Sequence, residues 1–157
     1  MLDCSASMAA GGALARAKGV LLALMDEAYR RREQVALICF AGARVELRLP
    51  PRKAAPWNDG WIAPIGGGGG TPLAAAVAQA QQLLARHCGP RSGCQGALWL
   101  LTDARTRELP ARPAAAQEAA VVDFEAGRVR LGRARGLARA WQARYLQAGD
   151  LAGLAAP

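Results

Sequence analysis

Hydrophobic and polar positions follow two different periods along the first half of the chain. Apolar residues recur at helical spacing over 12–32, which predicts a long amphipathic helix. The unbroken apolar run 35–40 predicts a strand buried on both faces. Residues 45–49 alternate as a half-exposed strand does, and the two prolines at 50 and 51 are expected to end it.

The second half continues the alternation of helices and strands. Thr71 is expected at or near the N-cap of a helix that has Pro72 as its first residue and runs to about Arg86. The remaining predicted elements are strands over 97–101, 120–122 and 144–146 and a basic helix over 131–141. This order predicts one α/β domain over residues 1–157, a three-layer sandwich with a mostly parallel central sheet.

Composition narrows the function classes. The chain has 157 residues and no apolar run near the roughly 20 residues that a membrane-spanning helix needs. It shows no signal peptide, so we expect a cytoplasmic protein without a membrane partner. The net charge is +8, carried almost entirely by arginine, which we interpret as compositional habit, with an acidic protein partner as a second use. Nucleic-acid binding through the arginine-rich segment 128–144 ranks third, because aromatic residues are not interleaved there.

Four cysteines raise the question of metal binding or disulfides. Cys39 lies in an apolar run and is interpreted as a small buried hydrophobe. His87, Cys88 and Cys94 lack a CxxC pair and offer only three ligands, so we expect no structural zinc. In a reducing cytoplasm we also expect no disulfide between Cys88 and Cys94.

Oxygen-bearing side chains form the candidate site. Five of them stand at predicted element boundaries, and they are Asp3, Ser5, Ser7, Thr71 and Asp103. A hard divalent cation such as Mg²⁺ prefers oxygen ligands in near-octahedral order. A D-x-S-x-S loop that turns from a strand into a helix points alternate oxygens the same way. Each piece also has an ordinary interpretation, because serine and threonine cap helices and an aspartate can simply end a strand.

The five glycines from Gly66 to Gly70 do not form a phosphate loop, because no Gly-Lys-Ser/Thr follows them. We expect them to allow the backbone to approach the metal rim closely, that is, the edge of the sheet at which the candidate metal ligands lie. His87 is the only histidine, and it lies far in sequence from the metal loop, so no Ser/His/Asp catalytic set is predicted.

These motifs give the chain a resemblance to the von Willebrand factor A domain and its metal-ion-dependent adhesion site. More narrowly, the chain resembles the C-terminal domain of the D-type magnesium chelatase proteins, including stand-alone relatives associated with cobalt chelatase. The resemblance is carried by the five site residues and by several segments, which include 34–40, 68–73 and 101–105. The segments 121–125 and 129–134 are what point to chelatases.

The resemblance implies roles for the site and its partners. Ser5, Ser7 and Thr71 would be direct ligands of Mg²⁺, and Asp3 and Asp103 would act through water or as acceptors behind the direct ligands. An acidic residue of a partner would complete the coordination. The domain would be a non-catalytic subunit that links an AAA+ ATPase to the large tetrapyrrole-binding subunit of a Mg²⁺ or Co²⁺ chelatase. A generic adhesion-type domain that serves another AAA+ ATPase is the alternative.

Three departures from the family pattern generate expectations of their own. The apolar strand that should precede Asp3 is expected to be missing, which leaves open that Met1 is an internal start. The short span between Asp103 and the next strand predicts that one surface helix is missing or reduced. Ala104 stands where the family often has glycine.

Overall fold

The structure is a computed structural model that describes residues 1–56, 62, 65–89, 92–126 and 130–154. Its strands form one six-stranded sheet in the order β3-β2-β1-β4-β5-β6, and only β3 is antiparallel to its neighbour. The strands are β1 Leu2–Asp3, β2 Gln34–Ala41, β3 Arg44–Lys53, β4 Ala97–Thr102, β5 Glu118–Asp123 and β6 Arg144–Gln147. The helices are α1 Ala6–Ala10, α2 Ala13–Arg30, α3 Leu73–His87 and α4 Arg133–Ala140, followed by a 3-10 helix, Ala148–Leu154.

Helices cover both faces of the sheet, as the predicted three-layer sandwich requires. Alternate residues of the strands point to opposite faces of the sheet and belong to two separate hydrophobic clusters. Leu37 and Leu101 join the cluster that contains the apolar stripe of α2. Ile38 and Leu100, one residue away on each strand, join the cluster that contains α3 and α4. The apolar runs of β2 and β4 are therefore explained by burial on both sides, which confirms the fold class.

The first strand is present, so the expectation that it is missing was wrong. Strand β1 has only two residues, yet it pairs with β2 on one side and β4 on the other. Its flanks extend the hydrogen bonding, since Cys4 N–H donates to Phe40 O at 2.9 Å and Leu101 N–H donates to Met1 O at 3.0 Å. Because both neighbours supply partners, a very short segment can hold the centre of the sheet.

Several predicted boundaries shift for local reasons. The long amphipathic helix is preceded by a separate short helix, α1, because Gly11 and the left-handed Gly12 (φ 68°) separate the two. Strand β3 continues through its two prolines to Lys53, because β3 is an edge strand with one side free of ladder hydrogen bonds. The segment 104–117 contains no helix, which confirms the expected loss of a surface helix there.

The chain after α3 corrects another expectation, since Cys88 and Cys94 form a disulfide. Ser92 Oγ donates to Gly89 O at 2.8 Å and accepts from Cys94 N–H at 3.2 Å. This turn brings the two cysteine Cα atoms within 4.7 Å, a separation that suits a disulfide. The expectation relied on compartment alone and missed this local geometry.

Two further points complete the fold. The loop tryptophans at 57 and 61 lie outside the described residues, as do residues 128 and 129 of the arginine-rich segment, the second of which also begins a chelatase-like segment. Within the part of the chain that the structure describes, no helix has both the length and the apolar character needed to cross a bilayer.

Candidate metal site at the carboxyl edge of the sheet

Asp3 lies at the centre of the site, at the carboxyl end of β1, with no solvent exposure. Both of its carboxylate oxygens accept hydrogen bonds. Ser5 N–H donates to Oδ1 at 2.9 Å, which closes a turn directly after the strand. Thr102 Oγ1 donates to Oδ2 at 2.6 Å from the end of the neighbouring β4. The carboxylate is thereby fixed between two strand ends that are 99 residues apart in sequence.

The two serines follow immediately on the chain. Ser5 is buried at the N-cap position of α1 but forms no side-chain capping hydrogen bond there. Its hydroxyl oxygen lies instead 3.2 Å from that of Ser7, which is half-buried in the first turn of α1. The ordinary interpretation of Ser5 as a helix cap therefore does not account for its hydroxyl.

Asp103 reaches the same place from β4. It is 5% exposed, and its charge makes a small contribution to raising the pKa of Asp3. Its Oδ1 accepts from Arg105 N–H at 3.2 Å, and Oδ2 lies 3.9 Å from Arg105 Nε. Ala104 between them has a left-handed backbone, φ 50°, a conformation that glycine adopts more easily than alanine.

The glycine run carries Thr71 to the same rim. Gly69 O accepts from Ala6 N–H at 2.9 Å, and Gly70 O accepts from Gly42 N–H at 2.8 Å. A Cβ on Gly69 would stand 2.7 Å from Gly42 Cα, so this approach requires glycine. Thr71 follows directly and is half-buried, two residues before α3 begins at Leu73, so Pro72 takes the N-cap position.

Burial dominates the electrostatics of the site. The pKa of Asp3 is raised, first by desolvation, while hydrogen bonds from Thr102 and Ser5 favour the charged form and Asp103 opposes it. Two neighbouring carboxyls in a buried position repel each other unless a cation or a proton intervenes. A divalent cation would reverse this penalty by favouring both charged forms.

The buried polar residues of the described chain all belong to this one place. They are Asp3, Ser5, Thr102 and Asp103. Of these, Thr102 was not predicted as a functional residue. It donates to Asp3 and accepts from Ala104 N–H at 2.8 Å, so it organises both strand ends. A threonine directly before the strand-end aspartate is the signal that could have identified it.

The donors suit a hard cation. In a shell with bonds of about 2.1 Å, neighbouring octahedral ligands are about 3.0 Å apart, and the Ser5 and Ser7 hydroxyl oxygens are 3.2 Å apart. The set contains oxygen donors and no soft ligand, which favours Mg²⁺ over Zn²⁺. Within the described residues no group of three or more His, Cys, Asp or Glu side chains could hold a metal. Any metal at this rim would therefore depend on hydroxyl oxygens together with the two carboxylates.

Comparison with known proteins identifies the family of the chain. Residues 1–105 match the family described as von Willebrand factor type A domain. An uncharacterized protein of Mycobacterium tuberculosis, Rv2850c, is 36% identical over 150 residues, which cover 88% of this chain and 24% of that protein. The magnesium-chelatase 67 kDa subunit of Heliobacterium mobile is 37% identical over 105 residues, 67% of this chain and 16% of the subunit.

A third relative is the magnesium-chelatase 60 kDa subunit of Cereibacter sphaeroides, which is 39% identical over 108 residues. Those residues cover 66% of this chain and 18% of that subunit. The chain thus spans less than a quarter of the length of each of these relatives. The similarity concerns one region of larger proteins.

Proposed function

Because the chain belongs to the von Willebrand factor type A domain family, we propose that it is a protein-interaction module that depends on one divalent cation, normally Mg²⁺. The proposed ligand set, partly through water, consists of Asp3, Ser5, Ser7, Thr71 and Asp103. The observation that carries this proposal is the concentration of buried oxygen donors at the ends of β1 and β4.

The protein's own residues would prepare the site before any partner arrives. Thr102 and the backbone of Ser5 hold the Asp3 carboxylate in one orientation. The Ser5 and Ser7 hydroxyls stand next to each other at the start of α1. A cation held there supplies positive charge that the neutral hydroxyls do not cancel. A carboxylate of a partner protein, the proposed docking group, is the ligand that such a site attracts.

The relatives suggest which assembly the module serves. Two of them are named as magnesium-chelatase subunits, and they are 37% and 39% identical to this chain over about two thirds of its length. We therefore place the chain in an ATP-dependent chelatase as a non-catalytic subunit that connects an AAA+ ATPase subunit with the large tetrapyrrole-binding subunit. The metal that the assembly inserts, Mg²⁺ or Co²⁺, is its cargo and is separate from the cation at the rim.

The first experiment measures the cation directly. Titration calorimetry of EDTA-treated protein with MgCl₂ should show one site. Replacing both hydroxyls, Ser5→Ala with Ser7→Ala, should weaken Mg²⁺ binding by about 100-fold. The matched control is Ser92→Ala, which removes an exposed hydroxyl beyond α3 and should leave the affinity unchanged. Equal affinities in the double variant and the wild type, with both folded by circular dichroism, would refute the metal site.

A second experiment measures the partner. Binding to a purified AAA+ chelatase subunit should require Mg²⁺ and disappear in the Ser5→Ala, Ser7→Ala variant. Binding that persists in EDTA would contradict a cation-dependent module. Mg²⁺ binding without affinity for chelatase subunits would leave the site intact and reject the assembly, in favour of another AAA+ partner.

A further inference from the structure

Two free cysteines lie in or beside the metal loop, and neither thiol belongs to the proposed ligand set. Cys4 directly follows β1, and Cys39 lies in β2; they are 3% and 7% exposed. Leu2 aligns with Cys39 in the parallel pair, and Cys4 is two residues beyond Leu2, so both thiols lie on the same face of the sheet. The Cys4 thiol donates to Leu2 O at 3.7 Å, and the adjacent Cys39 thiol raises the pKa of Cys4. They are therefore neighbours on adjacent central strands.

Their surroundings let a small reagent reach them. Both cysteines line one cavity of about 410 Å³, together with Arg44 and the backbone of Gly66–Gly68. A cavity of this size admits molecules much larger than water, which occupies about 30 Å³ in the liquid. The two thiols thus belong to the hydrophobic core and also border this cavity.

We propose that Cys4 and Cys39 form a peroxide-sensitive dithiol that closes to a disulfide and thereby weakens cation binding at the adjacent loop. The disulfide is independent of the proposed function, whereas its effect on the cation rests on it. The oxidant is a hydroperoxide, with hydrogen peroxide as the simplest member of the class.

The chemistry balances with one peroxide. The sulfur of one cysteine attacks a peroxide oxygen, the O–O bond breaks, and the thiol proton leaves with the departing hydroxide as water, which gives a sulfenic acid. The second thiol then attacks that sulfur, the S–O bond breaks, and a second water leaves. Two thiols are oxidised to one disulfide, and one peroxide is reduced to two waters.

The position of Cys4 connects this step to the metal loop. Cys4 stands between Asp3 and Ser5, and its carbonyl accepts from Gly68 N–H at 2.8 Å. A disulfide requires a sulfur separation of about 2.05 Å, much shorter than the contact distance of two unbonded sulfur atoms. Closing that gap pulls on the backbone between two proposed ligands. The close packing of the glycine run on Cys4 O leaves little room for the loop to adjust, because a Cβ on Gly67 would lie only 2.6 Å from that oxygen.

The experiment uses the full chain in a Cys88→Ser, Cys94→Ser background, which removes the other cysteine pair. Protein with all remaining thiols reduced is treated with hydrogen peroxide, and peptide mapping locates any crosslink. We expect a Cys4–Cys39 crosslink that dithiothreitol reverses. Calorimetry with MgCl₂ should show an affinity that falls by about tenfold on oxidation and returns on reduction.

The matched control is Cys39→Ala in the same background, which keeps Cys4 beside the loop and cannot form the disulfide. Its Mg²⁺ affinity should be the same before and after peroxide. Absence of the crosslink, or a crosslinked protein with unchanged affinity, overturns the proposal. If the reduced protein binds no Mg²⁺, the metal site of the proposed function fails and the predicted effect on the cation fails with it. Peptide mapping then still decides whether the dithiol forms.

Discussion

Two aspartates at the same edge of the sheet show nearly the same local structure and differ in everything around it. Asp3 ends β1 and accepts from the amide two residues later, at 2.9 Å, and from the Thr102 hydroxyl of the next strand. Asp123 ends β5 and accepts from Glu125 N–H at 2.8 Å and from the Tyr145 hydroxyl of the next strand at 2.7 Å. Asp3 is wholly buried, whereas Asp123 is half-buried.

The comparison separates a structural motif from a candidate site. A turn amide and a cross-strand hydroxyl are enough to satisfy a carboxylate at a strand end, as Asp123 shows. Around Asp3 there are in addition two adjacent serine hydroxyls and a second buried carboxylate, Asp103. The additional oxygens, together with deep burial, are what favour a cation at one position and not at the other.

The strongest test of this difference removes one charge at each position. Asp3→Asn should lower Mg²⁺ affinity by about 100-fold, because it removes a buried negative charge and one acceptor. Asp123→Asn, the matched change, should leave the affinity as in the wild type. Calorimetry with MgCl₂ measures both. If the two variants lose affinity equally, the cation does not distinguish the two strand ends.

A second test removes the cross-strand hydroxyl from each aspartate. Thr102→Val removes the donor to the buried Asp3 Oδ2 and the acceptor of Ala104 N–H, and should reduce the free energy of unfolding by about 2 kcal/mol. Tyr145→Phe removes one partner of a half-exposed carboxylate and should cost about 0.5–1 kcal/mol. Urea denaturation in EDTA measures both values. A larger loss for Tyr145→Phe would contradict the ranking by burial.

The smallest expected effect is a change in the pKa of Tyr145, the tyrosine that donates to Asp123, and it is measured at alkaline pH. The pKa of Tyr145 is raised, mainly by desolvation and next by its hydrogen bond to Asp123. Because the folded pKa exceeds the unfolded one, the linked stability is present below the ordinary tyrosine pKa and is lost as pH rises through the raised value. Asp123→Asn should lower the Tyr145 pKa without removing the effect of burial. Tyrosinate absorbance in a Tyr29→Phe background measures it, and an unchanged titration would show that Asp123 does not act on this hydroxyl.

Much of the fold could be predicted from the order in which helical and strand-like hydrophobic patterns follow each other along the chain. Apolar runs in β2 and β4 and the amphipathic stripe of α2 are local patterns that burial enforces. These patterns did not predict the very short strand β1 or the full length of the edge strand β3. Two residues of β1 carry too little pattern to predict a strand, and the prolines of β3 are tolerated only because that strand is at an edge.

The candidate site divides in the same way. Asp3, Ser5 and Ser7 are close in sequence, so their proximity follows from local spacing, and the structure joins them by direct hydrogen bonds. The structure brings Asp103 to Asp3 because β4 lies beside β1, and it brings Thr71 to the rim through the glycine run. That these side chains hold Mg²⁺ stays a prediction for the titrations above.

The sequence by itself determined the layered α/β architecture and supplied the candidate oxygen donors, because both depend on residue type and short-range spacing. Only the tertiary structure decided that Thr102 orients Asp3, that Cys4 lies against Cys39, and that Cys88 and Cys94 meet. The first two contacts depend on which strands are adjacent and in what register, and the third depends on the path of a turn. These contacts arise from the packing of the whole chain, and they cannot be predicted from the local spacing of hydrophobic residues.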